Sequence, residues 1–253
     1  YERKKRLYER SDIYAEMLAR IVQGLIEKEG CPVEKILGVG ISLPGILDKE
    51  GQTLVYSHAL GLRNVPTEEF SRYIPFSCRF INDANAAGLA EVRDLESPRS
   101  LVYLSLSNSV GGAILTGGAL YGGDGRPCYC GKKGCLDAYC SAKVLSQLTD
   151  GNLALFFDGL RSGNAALQTA WNEYLSYLAV AVNNLRMTFD CDVIVGGYVG
   201  GFLAEFGEPL REMLVERNTF EPDSSYLKFS RYRLEASALG AALLHIEAFI
   251  QNL

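Results

Sequence analysis

Residues 128–137 read CYCGKKGCLD, which sets Cys128, Cys130 and Cys135 in a Cys-x-Cys-x4-Cys array with Gly131 and Gly134 among them. Glycine enters left-handed backbone conformations at no steric cost, so such a loop can double back and bring three sulfurs to one centre. Zinc takes thiolate and imidazole ligands in a tetrahedron and suits a loop of this kind. The alternative is three ordinary reduced cysteines, which would not need glycines between them. The chain holds seven cysteines, an odd number. With three of them at metal spacing, a reducing cytoplasm fits better than a disulfide framework. Cys140 lies outside that spacing and reads as core.

Around this loop the sequence alternates strand and helix patterns. Ile36–Ser42, residues 52–56, Cys78–Asn82, Leu101–Leu106 with Gly112–Thr116, Asp192–Gly196 and a stretch near 226–230 read as strands. Helices are expected over 1–30, from Ala86 onward, after Asp137, over 165–189 and over 235–251, where apolar residues recur at helical spacing. Gly-rich turns at strand ends complete an α/β pattern. His58, Gly61, Arg63 and Asn64 are expected in a loop, with no role given to His58. A chain of 253 residues is long enough for two lobes. The formal charge of −5 argues against a nucleic-acid surface on this chain, and the basic start at residues 2–6 is interleaved with acid, as on a solvated helix face. No apolar run is long enough to span a membrane.

Two sets of residues invite a chemical reading. Asn82-Asp83-Ala84-Asn85 follows the strand 78–82 and opens a helix. A carboxylate there is either an N-cap for free backbone N–H groups or a general base at the mouth of an α/β site. Gly196-Gly197 follows the strand 192–196, where two glycines either admit a ligand close to the backbone or make a tight strand-to-helix turn.

The run 128–137 resembles the signature of the ROK family of repressors, open reading frames and kinases: Cys-x-Cys-Gly-x-x-Gly-Cys-[Leu/Val]-[Glu/Asp] ahead of a helix. Asn82-Asp83-Ala84-Asn85-Ala86 is similar to the family's Asn-Asp-x-Asn-Ala motif, and the last helix to its Gly-Ala-Ala helix. The resemblance implies an actin-like, ribonuclease H-like α/β fold in two lobes with a cleft between. Residues 1–92 with the returning helix 239–253 would form one lobe, and residues 93–238 with the zinc loop 126–137 the other. It further implies that Asp83 takes the proton from an attacking sugar hydroxyl, that Asn82, Asp83 and Asp137 contact sugar, and that Cys128, Cys130 and Cys135 bind structural zinc. Ser109, Gly111, Gly112, Gly196 and Gly197 would face the nucleotide if Mg-ATP is used. Asp137 stands where the family usually has Glu; its other reading is a carboxylate favourable to a helix start.

The sequence departs from the family in three places. Asn108-Ser109 stands where the kinases carry Thr-Gly in their phosphate loop. The segment that supplies a sugar-binding Glu and a zinc-binding His is missing between Asp124 and Cys128, and a skipped segment is the expectation. The N-terminal hairpin with Asp-x-Gly-x-Thr is also missing, and an N-terminal extension is expected. The altered phosphate loop tilts the reading to the effector-sensing, dimerising domain of a sugar-responsive cytoplasmic repressor. Such a protein would be a homodimer or tetramer that meets DNA only through an N-terminal region outside this chain. The alternative is an ATP-dependent sugar kinase of the glucokinase type with Asp83 as base.

Overall fold

The computed structural model describes residues 11–48, 50–92, 101–107, 110–112, 125–218, 220–232 and 235–251. They fall into two compact units, one running to Ala90 and resuming at Ser237, the other spanning Glu91–Ala236.

The first unit opens with α1 (Ser11–Glu29), followed by β1 (Val39–Leu43), β2 (Ile46–Leu47), β3 (Thr53–Ser57) and β4 (Leu62–Pro66). Then come α2 (Glu68–Ser71), β5 (Cys78–Asn82) and α3 (Asp83–Val92). β1 and β5 pair in parallel from Val39↔Cys78 to Leu43↔Asn82. β2, β3 and β4 form an antiparallel meander whose register shifts between Ile46 and Leu47. Leu43, Leu54 and Phe70 are its buried centre, with Tyr14, Leu18, Ile41, Val65 and Phe80 packed around them. Burying such side chains is what drives the unit together, at about 1.5–3 kcal/mol for each large one.

Two expectations shift here. The first strand begins at Val39 rather than Ile36, because Val33–Lys35 form a helical turn and Gly38 sits at φ +157°. The loop expected through Asn64 is shorter: Arg63 pairs across from Tyr56 in β4, and Asn64 follows at φ 52°. Asparagine is among the few residues that tolerate that conformation.

The second unit contains β6 (Leu101–Leu106), β7 (Val110–Gly112), α4 (Asp137–Cys140), α5 (Ala142–Ser146), α6 (Leu153–Arg161) and α7 (Ala165–Phe189). β8 (Asp192–Gly196), α8 (Gly197–Gly200), α9 (Leu203–Phe206), α10 (Glu208–Arg217) and β9 (Leu227–Phe229) follow. Its sheet runs β7-β6-β8-β9, antiparallel at β7 and parallel elsewhere. The strand expected over 112–116 is in place at Gly112 and begins earlier, at Val110; 113–116 and the Gly117-Gly118 hairpin lie outside the described residues. The long helix stands where its apolar spacing put it. Asn164 caps it, accepting from Ala166 N and Leu167 N at 3.0 and 3.2 Å. Its face of Trp171, Tyr174, Leu175, Leu178 and Val182 packs with Phe156, Phe157 and the strand residues Val102, Leu104, Val193 and Val195. Trp171 Nε1 donates to Phe206 O at 3.1 Å, so the largest buried ring keeps its polar atom satisfied.

α11 (Ala236–Gln251) returns the chain to the first unit. A Cβ on Gly240 would overlap the Ala86 carbonyl of α3, and one on Gly40 the Ala241 carbonyl of α11. Both contacts are backbone against backbone and require glycine.

Candidate functional site

β5 delivers Asn82 and Asp83 side by side at its C-terminal end, where α3 begins. Asn82 Oδ1 accepts the N–H of Asn85 at 3.0 Å. That is the contact of an N-cap residue with the third residue of its helix. The cap is therefore Asn82, and the capping role weighed for Asp83 falls to its neighbour. Asn82 Nδ2 donates to Gly45 O at 2.9 Å and to Asp83 Oδ1 at 3.2 Å. Both amide hydrogens are thus engaged, and one lone pair of Oδ1 is left for a further donor. Asp83 Oδ1 also accepts the N–H of Ala84 at 2.9 Å. Burial pushes the Asp83 carboxyl above its usual range, against the pull of the hydrogen bonds from the Ala84 backbone and Asn82.

The turn that meets Asn82 is Pro44-Gly45. Gly45 sits at φ +154°, and a Cβ there would lie 2.6 Å from Tyr56 O and 2.9 Å from Ser57 Cβ. The sequence marks Leu43-Pro44-Gly45 as the end of a strand but gives no sign that Gly45 O holds the asparagine. His58 is exposed on the same unit, with Nδ1 2.9 Å from Tyr56 Oη.

In the second unit Gly111 and Gly112 lie in β7, opposite Ser105 and Leu104. Ser109 lies outside the described residues. Gly196 and Gly197 have a packing reason of their own. A Cβ on Gly196 would overlap the Tyr103 hydroxyl, and one on Gly197, at φ +76°, would lie 2.7 Å from Leu106 N. Ser107, at the end of β6, was not singled out from the sequence. Its Oγ lies 3.2 Å from Ser105 Oγ and its carbonyl accepts Ala142 N at 2.8 Å. Asp137 opens α4 and is half-buried.

The three cysteines converge. Their sulfurs lie within 4.8 Å of one another, with Cys130 Sγ and Cys135 Sγ 3.6 Å apart. Tetrahedral Zn–S bonds of 2.3 Å set sulfurs about 3.8 Å apart, so the donor set fits zinc. Gly131 and Gly134 take φ of 85° and 74°, and Pro127 bridges Lys133 across the loop. The Cys128 and Cys135 thiols are raised, chiefly by burial and then by neighbouring thiols, Cys135 to about 12. Cys130 is lowered, first by the backbone N–H of Lys132. Three sulfurs this close cannot all be thiolates without a cation among them. The loop is anchored to α4 and α7. Arg126 N donates to Tyr139 Oη at 2.7 Å, and the Arg126 guanidinium lies over the rings of Tyr139 and Tyr177, at 4.8 and 5.1 Å. His245 Nε2 is 3.3 Å from Val39 O, and among the described residues neither histidine joins the thiols.

A family model described as ROK family matches residues 2–248. The chain is 29% identical to the N-acetylmannosamine kinase of Citrobacter koseri over 235 residues, covering 81% of this chain and 78% of that protein. It is 32% identical to the N-acetylmannosamine kinase of Escherichia coli O9:H4 over 188 residues, covering 65% of this chain but only 63% of that protein. The fold matches a ROK family glucokinase from Streptomyces griseus in complex with glucose and AMPPNP. The TM-score is 0.71 at 22% identity, covering 92% of this chain and 88% of the other. It also matches a ROK family transcriptional regulator, a homologue of the E. coli MLC protein, at TM-score 0.68 and 18% identity, covering 92% and 68%. The α/β, actin-like class expected from the sequence is the fold observed. The repressor reading is overturned. Kinases and a regulator share the fold, so fold does not choose between them, but the curated relatives described above are kinases, at 29% and 32% identity. The tilt toward a repressor rested on Asn108-Ser109, a local change in a loop outside the described residues.

Proposed function

The chain belongs to the ROK family, and on that premise we propose that it is an ATP-dependent sugar kinase acting on a hexose or an N-acylated amino hexose. N-acetylmannosamine is the first substrate to test, since both curated relatives above are kinases of that sugar. The observation that carries the reading is the division of labour at the end of β5. Asn82 caps α3, so the Asp83 carboxylate is not tied up in capping. Burial raises the Asp83 carboxyl, which makes its carboxylate a better proton acceptor than an ordinary exposed one.

In the reaction a sugar hydroxyl oxygen attacks the terminal phosphorus of ATP. Asp83 receives its proton, the new O–P bond forms, the bond to the bridging oxygen breaks, and ADP leaves. Asn82 holds Asp83 and offers its remaining Oδ1 lone pair to a hydroxyl. Asp137 is a further carboxylate for sugar hydroxyls, one methylene shorter than the Glu usual in the family. Gly111, Gly112, Gly196 and Gly197, with Ser109, are assigned to the nucleotide, where backbone amides and a hydroxyl cradle phosphates. Among the described residues the only grouped metal donors are thiols, which do not suit Mg²⁺. Mg²⁺ would be carried on the nucleotide's phosphates, with one or two carboxylates and water completing its shell. Cys128, Cys130 and Cys135 are assigned to structural zinc, which would lock the loop that leads into Asp137. A homodimer in the cytoplasm completes the reading; no helix among the described residues is long and apolar enough to cross a membrane.

The test is a coupled ADP-release assay on the full chain with Mg-ATP and N-acetylmannosamine, N-acetylglucosamine, glucose, mannose and pentoses. Turnover with one sugar, abolished by Asp83→Ala, establishes the kinase and its substrate. No turnover with any of them overturns the reading.

A further inference from the structure

We propose that Ser57 is a positioning residue for Asp83, acting through the Pro44-Gly45 turn and Asn82. The inference rests on the kinase reading for its catalytic meaning, although the linkage itself is structural. Ser57 is the last residue of β3 and is fully buried. A hydroxyl in such a place is unfavourable unless its hydrogen bonds are made, and here both directions are used. Oγ donates to Pro44 O and accepts the N–H of Leu60 at 3.2 Å. One hydroxyl therefore joins the Pro44-Gly45 turn to the turn between β3 and β4.

From there the path reaches the carboxylate in three steps. The Pro44 carbonyl belongs to the peptide that leads into Gly45, whose own carbonyl accepts Asn82 Nδ2 at 2.9 Å. The second hydrogen of that amide goes to Asp83 Oδ1 at 3.2 Å. The turn lies between the ladder pairs Leu43↔Asn82 and Ile46↔Tyr56, and the β2–β3 register shifts just beyond it, between Ile46 and Leu47. Gly45 has no side chain of its own to hold it, and a Cβ there would meet Tyr56 O and Ser57 Cβ. Ser57 is the side chain that fixes the turn to β3. Without it the turn loses its side-chain tie to β3, and a small shift of the Gly45 carbonyl carries the Asn82 amide away from Oδ1.

Two readouts on the full chain test this. The first is the pH dependence of kcat/KM with Mg-ATP and N-acetylmannosamine, or whichever sugar of the panel turns over. Ser57→Ala should lower kcat/KM by about tenfold, the scale expected when a catalytic group is displaced by a fraction of an ångström. Its acid limb should move to higher pH, because the lost Asn82 bond favours the charged carboxylate. KM for ATP should stay within about twofold, and Ser57→Thr, which keeps the hydroxyl, should recover most of the loss. The second readout needs no turnover: the carboxyl carbon of Asp83 is titrated by ¹³C NMR in the wild type and in Ser57→Ala. The Asp83 titration should move upward in the variant. Only burial, Asn82 and backbone N–H groups shift Asp83 among the described residues, so no charged neighbour competes as a cause. An unchanged Asp83 titration in a folded Ser57→Ala protein overturns the positioning role whether or not any sugar is phosphorylated. Absence of turnover in the wild type overturns the kinase reading and leaves the titration to judge Ser57.

Discussion

Asn82 and Asp83 are neighbours in sequence and share a side-chain hydrogen bond, Nδ2 to Oδ1 at 3.2 Å. The same asparagine caps α3 through Asn85 N and grips Gly45 O. One side chain thus starts a helix, fixes a turn and orients a carboxylate. Those roles can be separated by mutation.

Asn82→Asp keeps an oxygen for the Asn85 N–H but loses both amide hydrogens and sets a second carboxylate beside Asp83. Asn82→Ala loses the cap as well. The alanine variant should lose about 1 kcal/mol of stability, within the range for N-cap deletions, and the aspartate variant less. Both should lose activity, and the acid limb of the aspartate variant should lie at higher pH than that of the wild type, because a like charge raises a carboxyl pKa. Denaturant melts and pH–rate profiles check this. Equal stability loss in both variants would refute the capping assignment.

Asp83→Asn should cost about 10² to 10⁴ in kcat, the contribution of a general base. Its effect on stability should run the other way. Burial raises the Asp83 carboxyl above its value in the unfolded chain. Folding then favours the protonated form. The stabilisation is complete below the unfolded value and is lost as pH rises through the folded one. At neutral pH the wild type therefore carries an unfavourable buried charge that the asparagine variant lacks. The variant should melt higher than the wild type at pH 7, with the gain disappearing in acid. Thermal melts at pH 7 and near pH 3 measure the difference, and a variant that melts lower at pH 7 would count against a strained carboxylate.

Gly240→Ala tests how α11 supports α3. The added methyl would overlap the carbonyl oxygen of Ala86, in the helix that begins at Asp83. Overpacking of this kind costs about 1–3 kcal/mol. Because the displaced atom is backbone of α3, kcat should fall along with the melting temperature. Gly24→Ala on α1, where a Cβ meets nothing within 4 Å, is the control: it should leave kcat unchanged and should not lower the melting temperature, since alanine is the better helix former.

How much of this was legible in the sequence depends on whether a local rule was in charge. β5, β6, β8 and α7 end where strand patterning and helical spacing put them, because a dense apolar run or a long apolar face decides each one locally. Cys128, Cys130 and Cys135 were legible from spacing and glycines alone. The link from Ser57 to Pro44 was not, for a serine at a strand end carries no sign of which carbonyl it will meet thirteen residues away. The choice between Asn82 and Asp83 as cap was also hidden. Either residue type caps helices, and the helix boundary had to be known to within one residue.

The cysteine loop gives the last prediction. Cys130 and Cys135 sulfurs already stand near the separation that zinc imposes, and the loop carrying them is clamped by Arg126 on Tyr139 and Tyr177. Cys130→Ser should therefore release zinc without unfolding the second unit, whose core of Trp171, Phe156 and Phe157 lies in other elements. What should change is the ordering of residues 126–137. Proteolysis within this loop should become faster, and sugar affinity should fall if Asp137 contacts a hydroxyl. Cys31→Ser, at an exposed cysteine outside the cluster, should keep its zinc. Metal analysis decides the matter: one zinc per chain in the wild type and Cys31→Ser, and none in Cys130→Ser. One zinc per chain retained by Cys130→Ser would remove these cysteines from the metal site. Acid should release the metal from the wild type, since each thiolate that binds it must give up a proton first.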